Sequence, residues 1–372
     1  MIRRCRVPYA VTGLLGGALA ALIVISPAWG QGHQPWTGRG VPAPQVRTAD
    51  GALSSRSATT AGARVVMMVG LTVSDMARSV DFYTRVLDFE KTSDHEVLGP
   101  AYEALEGVSG ARLRVVRLRL GQESLELTEY VGSRGRPAPA DSRSNDRWFQ
   151  HVAIIVSDMD RAYARLQELK VQRSSTAPQL LPKTIPNAAG IRAFYFRDPD
   201  GHPLEILQFP PDKGDPKWQH ADGRLFLGID HTAIVVRSTA ASLAFYRDVL
   251  GFRVAGESIN FGTEQEHLNN VAGARLHITG LRVGQGPGIE FLEYLAPTDG
   301  RPFPAGERPN DLVHWETTIL VPDADSAAAR VRRGHFRLVS PGPVELPDTT
   351  LGFRRGLLVR DPDGHVVQLV ES

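Results

Sequence analysis

One stretch of this chain occurs twice. Ser79-Val80-Asp81-Phe82-Tyr83-Thr84-Arg85-Val86-Leu87-Asp88-Phe89 returns as Ser242-Leu243-Ala244-Phe245-Tyr246-Arg247-Asp248-Val249-Leu250-Gly251-Phe252. Arg197-Asp198-Pro199-Asp200-Gly201-His202 returns as Arg360-Asp361-Pro362-Asp363-Gly364-His365, and Gly110-Ala111-Arg112-Leu113 as Gly273-Ala274-Arg275-Leu276. All three recurrences are 163 residues apart, so the spacing belongs to a duplicated domain rather than to scattered motifs. Residues 64–209 form the first copy and 227–371 the second. A linker rich in Pro, Gly and charge occupies 210–226.

Each copy is doubled again. Val65–Val73, Phe149–Val156, Gly228–Val236 and Val313–Val321 are apolar, β-branched runs that read as strands. A helical pattern follows each one. In the first, Met76, Val80, Tyr83 and Leu87 fall on one face; in the second, Met159, Ala162, Leu166 and Leu169 do. Asp75 and Asp158 precede these helices as N-caps. Three strand-like runs then close each unit, ending in Leu125–Tyr130, Pro203–Phe209, Ile289–Tyr294 and His365–Val370. Asp-Pro-Asp-Gly before two of them is a tight turn, in which Pro presets φ and Gly accepts a positive one. The fold class is therefore α+β, four βαβββ units in two tandem pairs.

Composition narrows the function. The 372 residues carry a net charge of +1 with no block of like charge, and aromatics are only 7%. No basic groove or stacking platform for nucleic acid is expected. The single cysteine, Cys5, excludes a disulfide framework, a Cys-ligated zinc and thiol catalysis in the folded part. Arg3, Arg4 and Arg6 precede an apolar stretch from Ala10 to Ile25, then Pro27 and Ala28-Trp29-Gly30. Residues 1–30 thus read as a signal peptide cleaved after Gly30, and 31–63 as a flexible leader. The expected location is periplasmic or secreted, without stable membrane insertion once the signal is removed. An uncleaved anchor is the alternative, for which the apolar run is short.

The duplicated βαβββ unit, the Ser-x-x-Phe-Tyr helix with its Val-Leu-x-Phe exit, and the Asp-Pro-Asp-Gly-His turn together resemble the vicinal oxygen chelate superfamily. That superfamily includes glyoxalase I, extradiol dioxygenases and the fosfomycin- and bleomycin-resistance proteins. The resemblance spans nearly all of the chain after the leader. It implies that paired units curl into cup-shaped barrels, two in this chain. A divalent metal sits in such a cup, held by one side chain from the first strand and one from the last strand of each unit.

Carried onto this sequence, the resemblance offers Met68 and Glu126, His151 and Glu205, His231 and Glu290, and Glu316 and Gln368. His314 lies two residues before Glu316 on the same strand face. Imidazole and carboxylate suit Zn, Ni, Fe or Mn; the Met68 thioether is too soft and Gln368 a poor neutral donor. Pairing units within each copy leaves both sites compromised. Exchanged pairing, as in glyoxalase dimers, leaves Met68/Glu126/Glu316/Gln368 degenerate but makes His151, Glu205, His231 and Glu290 one complete set. The metal assignment rests on that set, with Glu205 or Glu290 also serving as the proton-transfer base. The linkers alone do not decide between the two pairings.

Other polar residues have plainer readings. Glu129 and Glu293 are expected to face solvent, His202 and His365 to serve the turns, and Glu264-Gln265-Glu266-His267 to be a solvated strand or loop edge. Arg112, Arg114, Arg117 and Arg119 read as a solvated sheet face. The resemblance implies a metal-dependent enzyme, glyoxalase-like (lyase or isomerase) or dioxygenase-like, acting on a small substrate with two adjacent oxygens. The competing class is a metal-free protein that sequesters a small molecule in the bleomycin-resistance manner. Substrate and oligomeric state are left open.

Overall fold

The computed structural model describes residues 62–372. The expected signal peptide, and all but the end of the leader, lie outside the described residues. The first unit comprises β1 (Val65–Thr72), α1 (Met76–Leu87), β2 (Glu90–Leu98), α2 (Pro100–Glu106), β3 (Arg112–Leu120) and β4 (Glu123–Tyr130). The second has β5 (Gln150–Val156), α3 (Met159–Glu168), β6 (Gln179–Leu180), β7 (Arg192–Arg197) and β8 (Pro203–Gln208). The third has β9 (Phe226–Val236), α4 (Thr239–Tyr246), β10 (Arg253–Phe261), α5 (Thr263–Asn269), β11 (Arg275–Arg282) and β12 (Gly288–Ala296). The fourth has β13 (Trp315–Leu320), α6 (Ala324–Arg333), β14 (Arg337–Leu338), β15 (Val344–Glu345), β16 (Arg355–Arg360) and β17 (Val366–Glu371).

The main helices start where the sequence places caps. Asp75, Asp158, Ser238 and Asp323 each accept a hydrogen bond from the backbone N–H three residues on. Each such cap is worth about 1 kcal/mol. A second carboxylate or amide reaches each helix from the last strand of its own unit. Glu129, Gln208, Glu293 and Glu371 accept from the N–H groups of Met76, Met159, Thr239 and Ala324, at 3.3, 3.1, 3.1 and 2.9 Å. Glu129 and Glu293 are therefore helix-terminus acceptors, not the plain solvent-facing residues expected. The positive end of the helix dipole explains the preference for an anion there.

Two curled sheets result. One has the order β10-β11-β12-β9-β5-β8-β7-β6 and combines units two and three. The other has the order β14-β16-β17-β13-β1-β4-β3-β2, with β15 on β16, and combines units one and four. The sheets thus follow the exchanged pairing and cross the sequence repeats. At each seam two first strands run antiparallel: His151 faces Ala233 and Ala153 faces His231, while Gly70 faces Glu316. The crossing loops are tied reciprocally. Arg136 binds Asp311 at 2.6 Å and Arg301 binds Asp146 at 2.7 Å.

The strand alternation sorts side chains between two environments. Val69, Leu71, Leu125, Leu127, Val152, Ile154, Leu204 and Ile206 point outward onto α1 and α3, forming one core. Ile234, Val236, Ile289, Phe291 and Ile319 do the same toward α4 and α6. The intervening residues line the concave faces, which form two cups.

Several expectations need correction. A short helix, α2 or α5, precedes the third strand in units one and three, and the first post-helix strands of units two and four shrink to two residues. Glu264–His267 therefore lies on helix α5, not on a loop edge. The linker is not bare: Pro216–Gln219 forms a 3-10 turn that buries Trp218. In the Asp-Pro-Asp-Gly turns, Gly201 and Gly364 have φ of 90° and 113°, values that favour glycine. His202 there hydrogen-bonds Asp198 at 2.8 Å and the Leu312 carbonyl at 2.9 Å, while His365 reaches the Val235 carbonyl at 2.9 Å. Both serve structure. Among the described residues no helix is long and apolar enough to cross a membrane.

Candidate metal centre

His151, Ala153 and Ile155 alternate inward on β5, and His231 and Ala233 on β9. Glu205 on β8 pairs in register with Ala153, and Glu290 on β12 with Ala233. This register brings all four expected residues into one cup. His151 Nε2 lies 3.2 Å from Glu205 Oε2; His231 Nε2 lies 3.9 Å from the same oxygen and 3.7 Å from Glu290 Oε1. His151, Glu205 and His231 form a cluster whose donor atoms all lie within 4.8 Å of one another, the one such cluster found among the described residues. Glu205, His231 and Glu290 line a cavity of about 570 Å³, within the usual range for small-molecule sites.

The donor atoms fit a divalent ion. His151 Nδ1 and Nε2 and His231 Nε2 are buried without an aligned hydrogen-bond partner, a costly arrangement unless something else satisfies them. Two imidazoles and two carboxylates are a donor set for Zn, Ni, Fe or Mn.

Residues missed in the sequence hold this set in place. His231 Nδ1 donates to Asp230 at 2.9 Å, leaving Nε2 directed at the carboxylates. Arg282 grips both Asp230 oxygens at 3.0 and 2.9 Å, and Trp218 Nε1 donates to the same carboxylate at 3.0 Å. Such outer partners fix the ring and its tautomer. The one sequence signal was an Asp inside an otherwise apolar strand. Burial pushes Asp230 up, but hydrogen bonds and charge from His231 and Arg282 outweigh it and hold the carboxyl below the usual range. Burial opposes charging His231 too, yet Glu290, Asp230 and Glu205 outweigh it and raise the imidazole to about 9. Burial also raises Glu290 above an ordinary carboxyl, against the pull of His231. The two carboxylates differ in access: the Glu290 side chain is 26% exposed and Glu205 5%.

The second cup is largely filled by its own side chains. Met68 and Gln368 are buried in it, and its carboxylates are committed elsewhere. Arg117 Nε donates to Glu126 at 2.9 Å, and its other end reaches the Leu351 carbonyl. Glu316 is shared by His314 at 2.9 Å and Gln368 at 3.1 Å. Leu105, Leu346, Leu351 and Phe353 pack together beside it. Arg117 is thus not on a solvated sheet face, although Arg112, Arg114 and Arg119 do pair with acids on β2 in the open. Register explains the contrast between cups. Arg117 faces Glu126 on the neighbouring strand, and the equivalent residue facing Glu290 is Gly280. Facing Glu205 is Tyr195; facing Gln368 is Leu358.

A family model described as Glyoxalase/Bleomycin resistance protein/Dioxygenase superfamily matches residues 65–206 and 228–369. A 2-epi-5-epi-valiolone epimerase from an Actinomyces species is 33% identical over 174 residues, covering 44% of this chain and 89% of that protein. Glyoxalase I of Saccharomyces cerevisiae is 25% identical over 194 residues, covering 50% of this chain and 56% of that one, so the match spans little more than half of the yeast protein. The crystal structure of glyoxalase I from Zea mays aligns with a TM-score of 0.54 at 16% identity, covering 82% of this chain and 92% of that chain. That last likeness is one of fold.

Proposed function

Since the chain belongs to the Glyoxalase/Bleomycin resistance protein/Dioxygenase superfamily, we propose that it is a metal-dependent enzyme with one working centre, His151, Glu205, His231 and Glu290. Its reaction moves a proton next to a carbonyl in a small compound carrying two adjacent oxygens. The observation that carries this reading is the convergence of one nitrogen each from His151 and His231 with the Glu205 and Glu290 carboxylates in one cup, whose cavity Glu205, His231 and Glu290 line. A bound divalent ion supplies Lewis-acid polarisation of the carbonyl.

The protein's own residues divide the remaining work. His151, buried behind the cavity, and Glu205, nearly closed off, act as fixed donors. Asp230 and Arg282 hold His231. Glu290 is the base: it is the more accessible carboxylate, and burial raises its basicity, which suits proton transfer near neutral pH. It takes the proton from the carbon beside the carbonyl while the C–H electron pair moves toward the carbonyl oxygen. Return of that proton to the neighbouring carbon, while the adjacent hydroxyl passes its own proton to the former carbonyl oxygen, gives an isomer. Delivery of a solvent proton to the opposite face, with Glu290 releasing the one it took, gives an epimer.

The test is solvent exchange. Metal-loaded protein in heavy water should place deuterium beside the carbonyl of a small hydroxyketone, and Glu290→Gln should abolish the exchange while retaining bound metal. Exchange undiminished in Glu290→Gln removes the assignment, and protein that binds no divalent ion removes the enzyme reading in favour of sequestration. One observation favours a second reading: His151, Glu205 and His231 alone form the tight cluster, and two His with one carboxylate is also the donor set of non-haem iron oxygenases. Dioxygen uptake by iron-loaded protein with a catechol distinguishes it. We also propose export, from the Arg-rich start and apolar run of residues 1–30; a mature protein beginning at Gln31 in native material tests this, and intact Met1 in the cytoplasm refutes it.

A further inference from the structure

The two cups are made from the same repeat, so each serves as a control for the other. In the filled cup, β2 and α2 present Val97, Tyr102 and Glu106. The residues 163 positions on, in the open cup, are Asn260, Gln265 and Asn269. Val97 and Tyr102 pack with Leu351 and Phe353. This pair of elements therefore forms without amides, and the amides of the open cup need another reason.

They form a buried chain. Ser258 Oγ donates to Asn260 Oδ1 at 2.5 Å, Asn260 Nδ2 donates to Gln265 Oε1 at 2.9 Å, and Gln265 Nε2 donates to Asn269 Oδ1. Ser258, Asn260 and Gln265 all line the cavity that holds Glu205, His231 and Glu290. The far end of the chain, where the Asn269 amide interacts with the buried Tyr294 hydroxyl, lies away from the cavity. The spare hydrogen-bonding capacity is at the cavity end. Gln265 and Asn260 each keep a second amide hydrogen, and Ser258 keeps its acceptor capacity. Groups that both donate and accept, at fixed spacing and without charge, match hydroxyls.

Charge argues the same way. Apart from His231, which is assigned to the metal, the cations among the described residues lining this cavity are Lys213 and Arg282. Arg282 is committed to Asp230, and Lys213 donates to the Pro186 carbonyl at 3.2 Å. Glu257 lines the cavity beside Ser258, so a carboxylate on the remote part of a ligand would meet like charge there. The wall facing it is open: a side chain added at Gly256 would meet nothing within 4 Å.

We infer that the open cup takes a neutral, polyhydroxylated carbonyl compound, whose hydroxyls remote from the carbonyl are read by Gln265, Asn260 and Ser258. This rests on the proton-transfer reading of the same site, and names its substrate class. Ser258, Asn260 and Gln265 are then specificity residues and take no part in moving the proton.

The experiment uses the full metal-loaded protein in heavy water with three probes. These are a panel of cyclic and open six-carbon polyhydroxy ketones, dihydroxyacetone, and the hemithioacetal of methylglyoxal with glutathione. The expected result is a kcat/KM for exchange at least about tenfold higher for the best polyhydroxy ketone than for either other probe, as loss of a designed hydroxyl contact predicts. Gln265→Leu and Asn260→Val (the second installs the residue of the other cup) should lower the polyol-to-dihydroxyacetone preference about tenfold, mainly through KM. A cyclic polyol without a carbonyl should competitively inhibit exchange into dihydroxyacetone by the unaltered protein, a readout that needs no variant to fold. Exchange that favours the hemithioacetal, a preference unchanged in both folded variants, or no inhibition by the polyol overturns the inference while leaving the proton-transfer reading intact. Exchange into none of the probes by metal-loaded protein overturns both.

Discussion

Replacing His151 by Gln and, separately, His231 by Gln should each abolish the same single metal equivalent. The two histidines are 80 positions apart and belong to different sequence repeats, yet their rings lie 5.8 Å apart across the β5–β9 seam. An ion present at about a thousand times its dissociation constant stabilises the folded chain by about 4 kcal/mol. For a protein of this size that raises Tm by roughly 6 °C. Either histidine variant should lose that shift and show no bound ion by elemental analysis after dialysis. Asp230→Asn gives a graded control, because it removes the acceptor that orients His231 but no donor. Loss of such a partner weakens metal binding about 10–100-fold, which is about 1.4–2.7 kcal/mol, so its metal-induced shift should fall to roughly 2–4 °C. The assay is thermal unfolding with and without chelator, alongside metal content. If the two histidine variants each retain an ion, or the unaltered chain holds two, the histidines serve separate centres and the reasoning fails.

Gly280→Arg should close the open cup as Arg117 closes the other, removing the metal equivalent with the fold retained by circular dichroism; a Cβ there meets nothing nearer than the Gly256 carbonyl at 3.8 Å. Arg117→Met should destabilise the chain by about 2–3 kcal/mol in urea unfolding, because Glu126 is left largely buried without its partner, and it should create no second metal equivalent, since Met68 and Gln368 remain. His314 is buried between Glu307 and Glu316; burial disfavours its charged form, but the two carboxylates outweigh this and raise it to about 9. Because its folded value exceeds the unfolded one, its contribution is complete below about pH 6.5 and is lost as pH rises through about 9, on the order of 3 kcal/mol. His314→Gln should flatten that alkaline loss in Tm measured across pH 6–10, and an unchanged slope counts against it.

Much of this protein is legible in one dimension. The offset of 163 residues, the capping residues and the apolar periodicities are local facts, and local facts set the four units, their helices and the inward alternation of His151, Glu205, His231 and Glu290. Strand period decides which face a residue takes regardless of its neighbours. The donor types could likewise be read against what metals accept. Glu129 and Glu293 were misread because their partners, the N–H groups of Met76 and Thr239, are 53 and 54 residues away. Helix α5 was misread because its four polar residues carry no strong apolar period, and Gln265 is buried by what packs over it.

Unit pairing is a different kind of property. Residues 64–209 contain two first strands, and either could have closed on the other with equally apolar edges. The structure instead joins β5 to β9 and β1 to β13. Only that choice places both histidines with Glu205 and Glu290 and consigns Met68, Glu316 and Gln368 to one cup. The same choice reveals why one cup is open. In the sequence Arg117 reads as one of four solvated arginines and Gly280 carries no signal; in three dimensions each faces the site glutamate of its cup, and one fills the space that the other leaves. Composition and periodicity are carried by neighbours along the chain, whereas a site depends on which distant strands share hydrogen bonds, and that is settled by the packing of whole sheets against α1, α3, α4 and α6.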